Sequence, residues 1–107
     1  MLVTDYISKD FIPPNSNQTV GHALSLAQEF NLSHVPIFEG LSFIGNLSKE
    51  ILEDNEESMK LSELKEFNEF FYMTSNGSLL EAVQNFHTYT TNLQVVLSSE
   101  LKYMGLL

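Results

Sequence analysis

Three kinds of side chain in this sequence could do chemistry: its histidines, its hydroxyls and its acids. His34 follows Ser33 in the run Asn31-Leu-Ser-His-Val-Pro-Ile-Phe38. An imidazole there can hydrogen-bond a ligand or be tied to a backbone carbonyl in a half-buried position, and the sequence leaves both open. Ser48 closes Phe43-Ile-Gly-Asn-Leu-Ser48 and can cap a helix, hold a ligand, or do both. His22 and His87 have no partner at metal-ligand spacing and read as exposed and unliganded. From Glu50 to Glu57 the chain carries five acids and one Asn, but without the interleaved spacing and glycine of a calcium loop. That run reads as a solvated helix end and linker. No Ser/His/acid set and no carboxylate pair has spacing that points to nucleophilic or acid/base catalysis. Triads assemble in space, however, so a missing motif counts for little.

The elements that must hold these residues belong to one compact domain or to two half-domains sharing a core, since the chain has 107 residues. Eight Phe and four Tyr can build that core without Trp. There is no cysteine, which excludes disulfides and thiolate metal sites. Fourteen acids face five lysines and no arginine, a net charge of −9. That balance argues against nucleic acid and against anionic membrane surfaces, both of which need Lys and Arg. No apolar run approaches the roughly 20 residues that span a bilayer. Met-Leu-Val-Thr-Asp-Tyr is not a secretion signal, so a soluble cytoplasmic protein is expected. The Asn-x-Ser/Thr triplets at Asn17, Asn31, Asn46 and Asn76 read as turns and caps.

In chain order, Thr4–Lys9 predicts a short helical lead-in. Phe11-Ile12-Pro13-Pro14 is extended, because each residue before a proline is pushed out of the helical region. Thr19 caps a helix whose buried face is Val20, Ala23, Leu24, Ala27 and Phe30. Val35-Pro36-Ile37-Phe38 and Leu41–Leu47 read as a hairpin around Glu39-Gly40. Pro36 cannot donate to a ladder, so its nitrogen should face an edge, a bulge or a groove. Ser48 caps a helix from Lys49 to about Asp54, with Ile51 and Leu52 inward. Leu61, Leu64 and Phe67 suit one short amphipathic turn.

The plan then restarts. Phe70–Met73 is strand-like. Ser78 and Glu81 form a capping box, and Leu79, Ala82, Val83 and Phe86 make a buried helical face. Leu93–Leu97 is a strand, Ser98-Ser99-Glu100 a turn, and Leu101–Leu107 the return. Ala23 matches Ala82, Pro36 matches Gln94, and Gly45 matches Gly105, at offsets of 59, 58 and 60. Self-similarity at a nearly fixed period is a fold-level signal. Gly45 and Gly105 read as points of close backbone approach.

The segments Thr19-Val-Gly-His-Ala-Leu24, Ser33-His-Val-Pro-Ile-Phe38 and Phe43-Ile-Gly-Asn-Leu-Ser48 resemble the motifs of the cystathionine-β-synthase (CBS) domain. Ser78-Leu-Leu-Glu-Ala-Val83 and Tyr103-Met-Gly-Leu-Leu107 fit the same pattern in a second copy. The resemblance covers nearly the whole chain. It implies an α+β fold, two β-α-β-β-α repeats packed sheet to sheet about a pseudo-twofold axis. One module then spans 1–107, with repeat one near 10–55, a linker near 55–69 and repeat two near 70–107.

The resemblance also implies a job. Such pairs are regulatory modules, without catalytic residues of their own, that commonly bind adenosyl ligands in two clefts between the repeats. Carried over, the first site falls on Ile12, Pro13, Ser33, His34, Val35, Pro36, Ser48 and Ile51. Ile51 stands where the pattern has a ribose-binding aspartate. The second falls on Tyr72, Met73, Asn92, Leu93 and Gln94, and the chain closes at Leu107 before the matching hydroxyl, aspartate and final helix. The expected effectors are AMP, ADP, ATP or S-adenosylmethionine, with a weakly charged ligand favoured by the acidic surface. The alternative is a pair that lost its ligand and serves dimerisation or protein interaction. A sheet lacking its closing helix exposes apolar surface, so a homodimer with an isologous interface is expected.

Overall fold

Thr19 and Ser78 start the two longer helices by the same device. The computed structural model describes residues 10–98 and 100–107, the Leu79 side chain excepted. The lead-in expected over Thr4–Lys9 therefore lies outside the described residues, as does Ser99 in the expected turn. The Thr19 hydroxyl accepts from the His22 amide at 3.2 Å and starts α1, Val20–Glu29. The Ser78 hydroxyl accepts from the Glu81 amide at 3.2 Å and starts α3, Leu79–Tyr89. Each cap satisfies an amide that the first turn leaves without an intrahelical acceptor.

The chain divides into two compact units. One is Pro13–Phe70. Its α1 buries Val20, Ala23, Leu24 and Ala27, whereas Phe30, expected on that face, sits exposed at the C-cap. Strands β1 (His34–Glu39) and β2 (Ser42–Ser48) pair antiparallel. Ser48 then caps α2, Lys49–Glu53, which packs on α1 and β2 with Leu52 fully buried. The next segment straps across the start of α1: Val20 N donates to Met59 O and Gly21 N to Glu57 O, at 2.8 and 2.9 Å. A 3-10 helix, Leu61–Phe67, buries Leu61 and Leu64 and leaves Phe67 exposed.

The other unit is Phe71–Leu107 together with residues 10–12. It holds β3 (Met73–Thr74), α3, β4 (Val95–Leu97) and β5 (Tyr103–Leu106) in a sheet of order β3-β4-β5. Met73, Ala82 and Val96 form its core, with Phe86, Met104 and Leu107 against it. Val83, expected inside, is exposed. The inward place goes to Asn85, whose amide reaches the buried Gln94.

The two units repeat each other bond for bond. Ser16 N donates to Phe38 O, and Ser75 N to Leu97 O. Leu32 N donates to Ala27 O, and Thr91 N to Phe86 O. Asn31 and Thr90 both take left-handed φ values, 55° and 50°. A register shift follows Ile37 in one hairpin and Val96 in the other, opposite Gly45 and Gly105. Every one of these matches before the shift has an offset of 59. Pro36 therefore corresponds to Val95 and Val35 to Gln94, one residue away from the match read from sequence.

The start of the first lead-in segment does not stay with the first repeat. Phe11 belongs with the second repeat, where its carbonyl accepts from the Tyr103 hydroxyl at 2.8 Å. Burial pushes the Tyr103 pKa from 10.0 up to about 12. The folded state thus holds the phenol proton more tightly than the unfolded chain does. Stability is unaffected by this group below pH 10 and falls between pH 10 and about 12. Tyr103→Phe should cost about 1 kcal/mol at neutral pH and remove that share of the alkaline loss. Thermal midpoints of both proteins at pH 8 and above 10 check it; parallel curves contradict it.

Candidate functional site

Pro36 opens a gap in the first sheet, and the polar residues of the first unit gather beside it. Pro36 faces Asn46 across the hairpin. Both backbone groups of Asn46 turn the other way, to Glu69: Asn46 N donates to Glu69 O at 2.8 Å and Glu69 N to Asn46 O at 2.7 Å. Pro36 and Asn46 are thus a non-hydrogen-bonded pair, and no donor is needed toward β2. The Pro36 nitrogen faces the lead-in side of β1. There Phe38 N donates to Pro14 O at 3.1 Å, and at Pro36 the same ladder stops for want of an N–H. The expectation that this nitrogen faces an edge is met by the geometry.

Ser33, His34, Ser48 and Ile51 come together at that end of the hairpin. His34 pairs with Ser48 in register, and Lys49 N donates to Ser33 O at 2.9 Å. The Ser48 hydroxyl accepts from Ile51 N at 3.2 Å, so it acts as the expected cap. Ile51 is half-buried and brings no carboxylate. Buried His34 has its Nδ1 3.0 Å from the Ser33 hydroxyl and its Nε2 2.9 Å from a Glu69 carboxylate oxygen. The carbonyl partner considered from sequence is replaced here by a carboxylate. Glu69 is the residue that sequence reasoning missed. It lies 35 positions from His34, and no local pattern marks it. Val35 and Pro36 are buried, and Pro13, next to the Pro14 whose carbonyl accepts from Phe38 N, is half-buried. Ile12 belongs to the other unit and is 79% exposed.

In the second unit the corresponding residues are more enclosed. Met73 and Leu93 are core residues. Gln94 is fully buried: its Nε2 donates to Ala82 O at 2.7 Å and its Oε1 accepts from Asn85 Nδ2 at 3.0 Å. Both ends of that amide are spent on α3. Its backbone is spent as well, because Leu107 N donates to Gln94 O at 2.8 Å. Tyr72 is half-buried and Asn92 exposed. The first unit therefore gathers Ser33, His34 and Ser48 beside the ladder gap, with both His34 ring nitrogens engaged by Ser33 and Glu69, and in the second unit Asn92 and Tyr72 are the less enclosed residues.

No family model and no curated protein matches the sequence. Solved structures do match over the whole chain. One is a CBS domain pair/ACT domain protein from Thermotoga maritima, 18% identical, TM-score 0.82, covering 99% of this chain and 88% of that one. Another comprises the CBS domains of a transcriptional regulator from Streptococcus pneumoniae, 13% identical, TM-score 0.82, covering 100% and 92%. A third is the CBS domain of a bacterial CNNM/CorC family Mg2+ transporter in complex with ATP, 15% identical, TM-score 0.71, covering 100% and 80%. The chain has the α+β fold of a tandem CBS domain pair. Among the described residues no helix is long and apolar enough to cross a membrane.

Proposed function

We propose that this CBS pair is a non-catalytic, cytoplasmic regulatory module that takes an adenosine-type nucleotide or S-adenosylmethionine beside β1 of the first unit. The observation that carries the reading is the ladder gap at Pro36, flanked by Ser33, His34 and Ser48. An adenine ring presents edge donors and acceptors that suit the polar groups gathered beside such a gap. The solved CBS domain with ATP bound supports a nucleotide as the class of effector. The charge of −9 and the lack of arginine favour adenosine, AMP or S-adenosylmethionine over ATP here. A thermal-shift series with adenosine, AMP, ADP, ATP and S-adenosylmethionine tests this. A ligand at ten times its Kd adds about 1.4 kcal/mol, a rise of several degrees. No shift with any of the five at millimolar concentration contradicts it.

A second reading, a pair that serves protein interaction, is favoured by specific features of both units. Ile51 stands where a ribose-binding carboxylate is expected, and the Gln94 side chain is consumed inside its own unit. Leu80 and Val83 also stand out from α3 into solvent.

A further inference from the structure

We propose that Asn76 is a self-modification site: the Gly77 backbone nitrogen converts it through a succinimide to isoaspartate and aspartate, while Asn17, its twin in the first repeat, stays intact. The duplication supplies the comparison. Gln18 N donates to Asn15 O and Gly77 N to Thr74 O, both at 2.9 Å, so the two asparagines hold the same place in the same turn. The caps that follow are alike as well: Thr19 has φ −92° and ψ 159°, Ser78 φ −91° and ψ 157°. Both asparagines are exposed. Water reaches them equally, and what differs is the next residue. Of the nine asparagines in the chain, Asn76 alone precedes a glycine.

The space around Gly77 gives the reason for that glycine. A Cβ there would lie 2.5 Å from Met73 Cε and 3.1 Å from Thr74 O, and Met73 is a core residue of its unit. The first repeat accommodates a side chain at the equivalent place. Gln18 reaches back over the turn, where its Oε1 accepts from Asn15 N at 2.8 Å. At Asn76 no Cβ obstructs the approach of the next nitrogen to Cγ. The Thr74 hydroxyl also donates to Asn76 Oδ1 at 2.6 Å, which stabilises the negative charge that develops on that oxygen during attack.

The reaction needs only water and hydroxide. The turn opens, as exposed turns do at low cost, and Gly77 N–H leaves Thr74 O. Its proton passes to hydroxide, and the nitrogen attacks Cγ of Asn76. The new C–N bond forms, the Cγ–Nδ2 bond breaks, and ammonia leaves with a proton from water. Water then opens the ring at one of its two carbonyls. Opening at Cγ gives aspartate, and opening at the backbone carbonyl gives isoaspartate. Isoaspartate adds a methylene to the backbone, so the bond from Gly77 N to Thr74 O no longer closes the turn that leads β3 into α3.

The test holds the full chain at pH 8 and 37 °C for several weeks and maps its asparagines by peptide mass and by isoaspartyl methyltransferase labelling. The Asn76 peptide should gain one mass unit roughly ten-fold or more ahead of the Asn17 peptide. Gln18→Gly should bring Asn17 to a rate near that of Asn76, because it recreates the same dipeptide in the same turn. The isoaspartate fraction should melt about 5 °C below the intact chain, the shift expected for one lost backbone bond, and Asn76→Asp should not. An intact Asn76, conversion of Asn17 at an equal rate, or a Gln18→Gly chain whose Asn17 stays inert overturns the proposal. An isoaspartate fraction that melts with the intact chain overturns the loss of the turn.

Discussion

Gly45→Ala should destabilise the protein by about 2–4 kcal/mol, lowering the thermal midpoint by roughly 10 °C or more. Two costs add at this position. Gly45 has φ of +130°, a conformation L side chains rarely adopt, and an added Cβ would sit 2.8 Å from the Asn68 Cβ and 3.3 Å from its Cγ. Asn68 cannot retreat cheaply. Its Nδ2 donates to Ile44 O at 3.1 Å, and the next residue, Glu69, is held by the reciprocal bonds to Asn46. Gly40→Ala is the control. It has φ of +62° but nothing within 4 Å, so it carries only the conformational cost, about 1 kcal/mol. Urea denaturation of both variants separates the two costs. Equal losses would show that segment 68–69 yields and that the close approach contributes little.

Gln94→Glu should cost at least about 3 kcal/mol at neutral pH. A carboxylate cannot donate to the Ala82 carbonyl, 2.7 Å away, and it places a charge in a fully buried site. Only the Asn85 amide remains to solvate it. Burial raises the folded-state pKa of the new acid above its unfolded value near 4.3. The folded state then binds the proton more tightly, so the loss is smallest in acid and grows as pH rises through that value. Gln94→Met separates charge from shape. It keeps the volume, leaves the Asn85 amide its 3.1 Å contact with Met73 Sδ, and should cost about 1 kcal/mol. Chemical denaturation at pH 4 and pH 7 checks both. Equal losses for Glu and Met at pH 7 would mean that the buried charge adds no cost at Gln94.

The features legible in the sequence are those with a local physical cause. Thr19, Ser48 and Ser78 read as caps because a short hydroxyl before an apolar-periodic run can take an otherwise unsatisfied amide. Pro36 read as an edge because it has no N–H. The duplication read through because the same caps, strands and glycines recur in the same order. What stayed hidden depends on partners far along the chain. Spacing alone put Val83 inward, but buried Gln94 claims Asn85 and fixes how α3 is turned. The one-residue slip at Gln94 came from matching apolar runs. The backbone bonds and the paired register shifts, which set the true offset, have no counterpart in residue type. Phe11 falls with the second repeat and not the first, and Glu69, expected in the linker, bonds back to Asn46 of the first repeat; nothing local announces either. For the same reason the carboxylate partner of His34 could not be found from residues 31–48. Ser33, His34, Pro36 and Ser48 were legible as candidates; their convergence beside a ladder gap was not.

The most direct measurement is an amide NMR titration of the labelled chain with AMP and with adenosine. If the ladder gap beside β1 is the sensing site, the largest shifts will fall on Ser33–Val35, Ser48 and Ile51, and Ser33→Ala will weaken them. Shifts that avoid the first hairpin altogether, or none at millimolar ligand, would contradict the assignment of that edge to an adenosyl ligand.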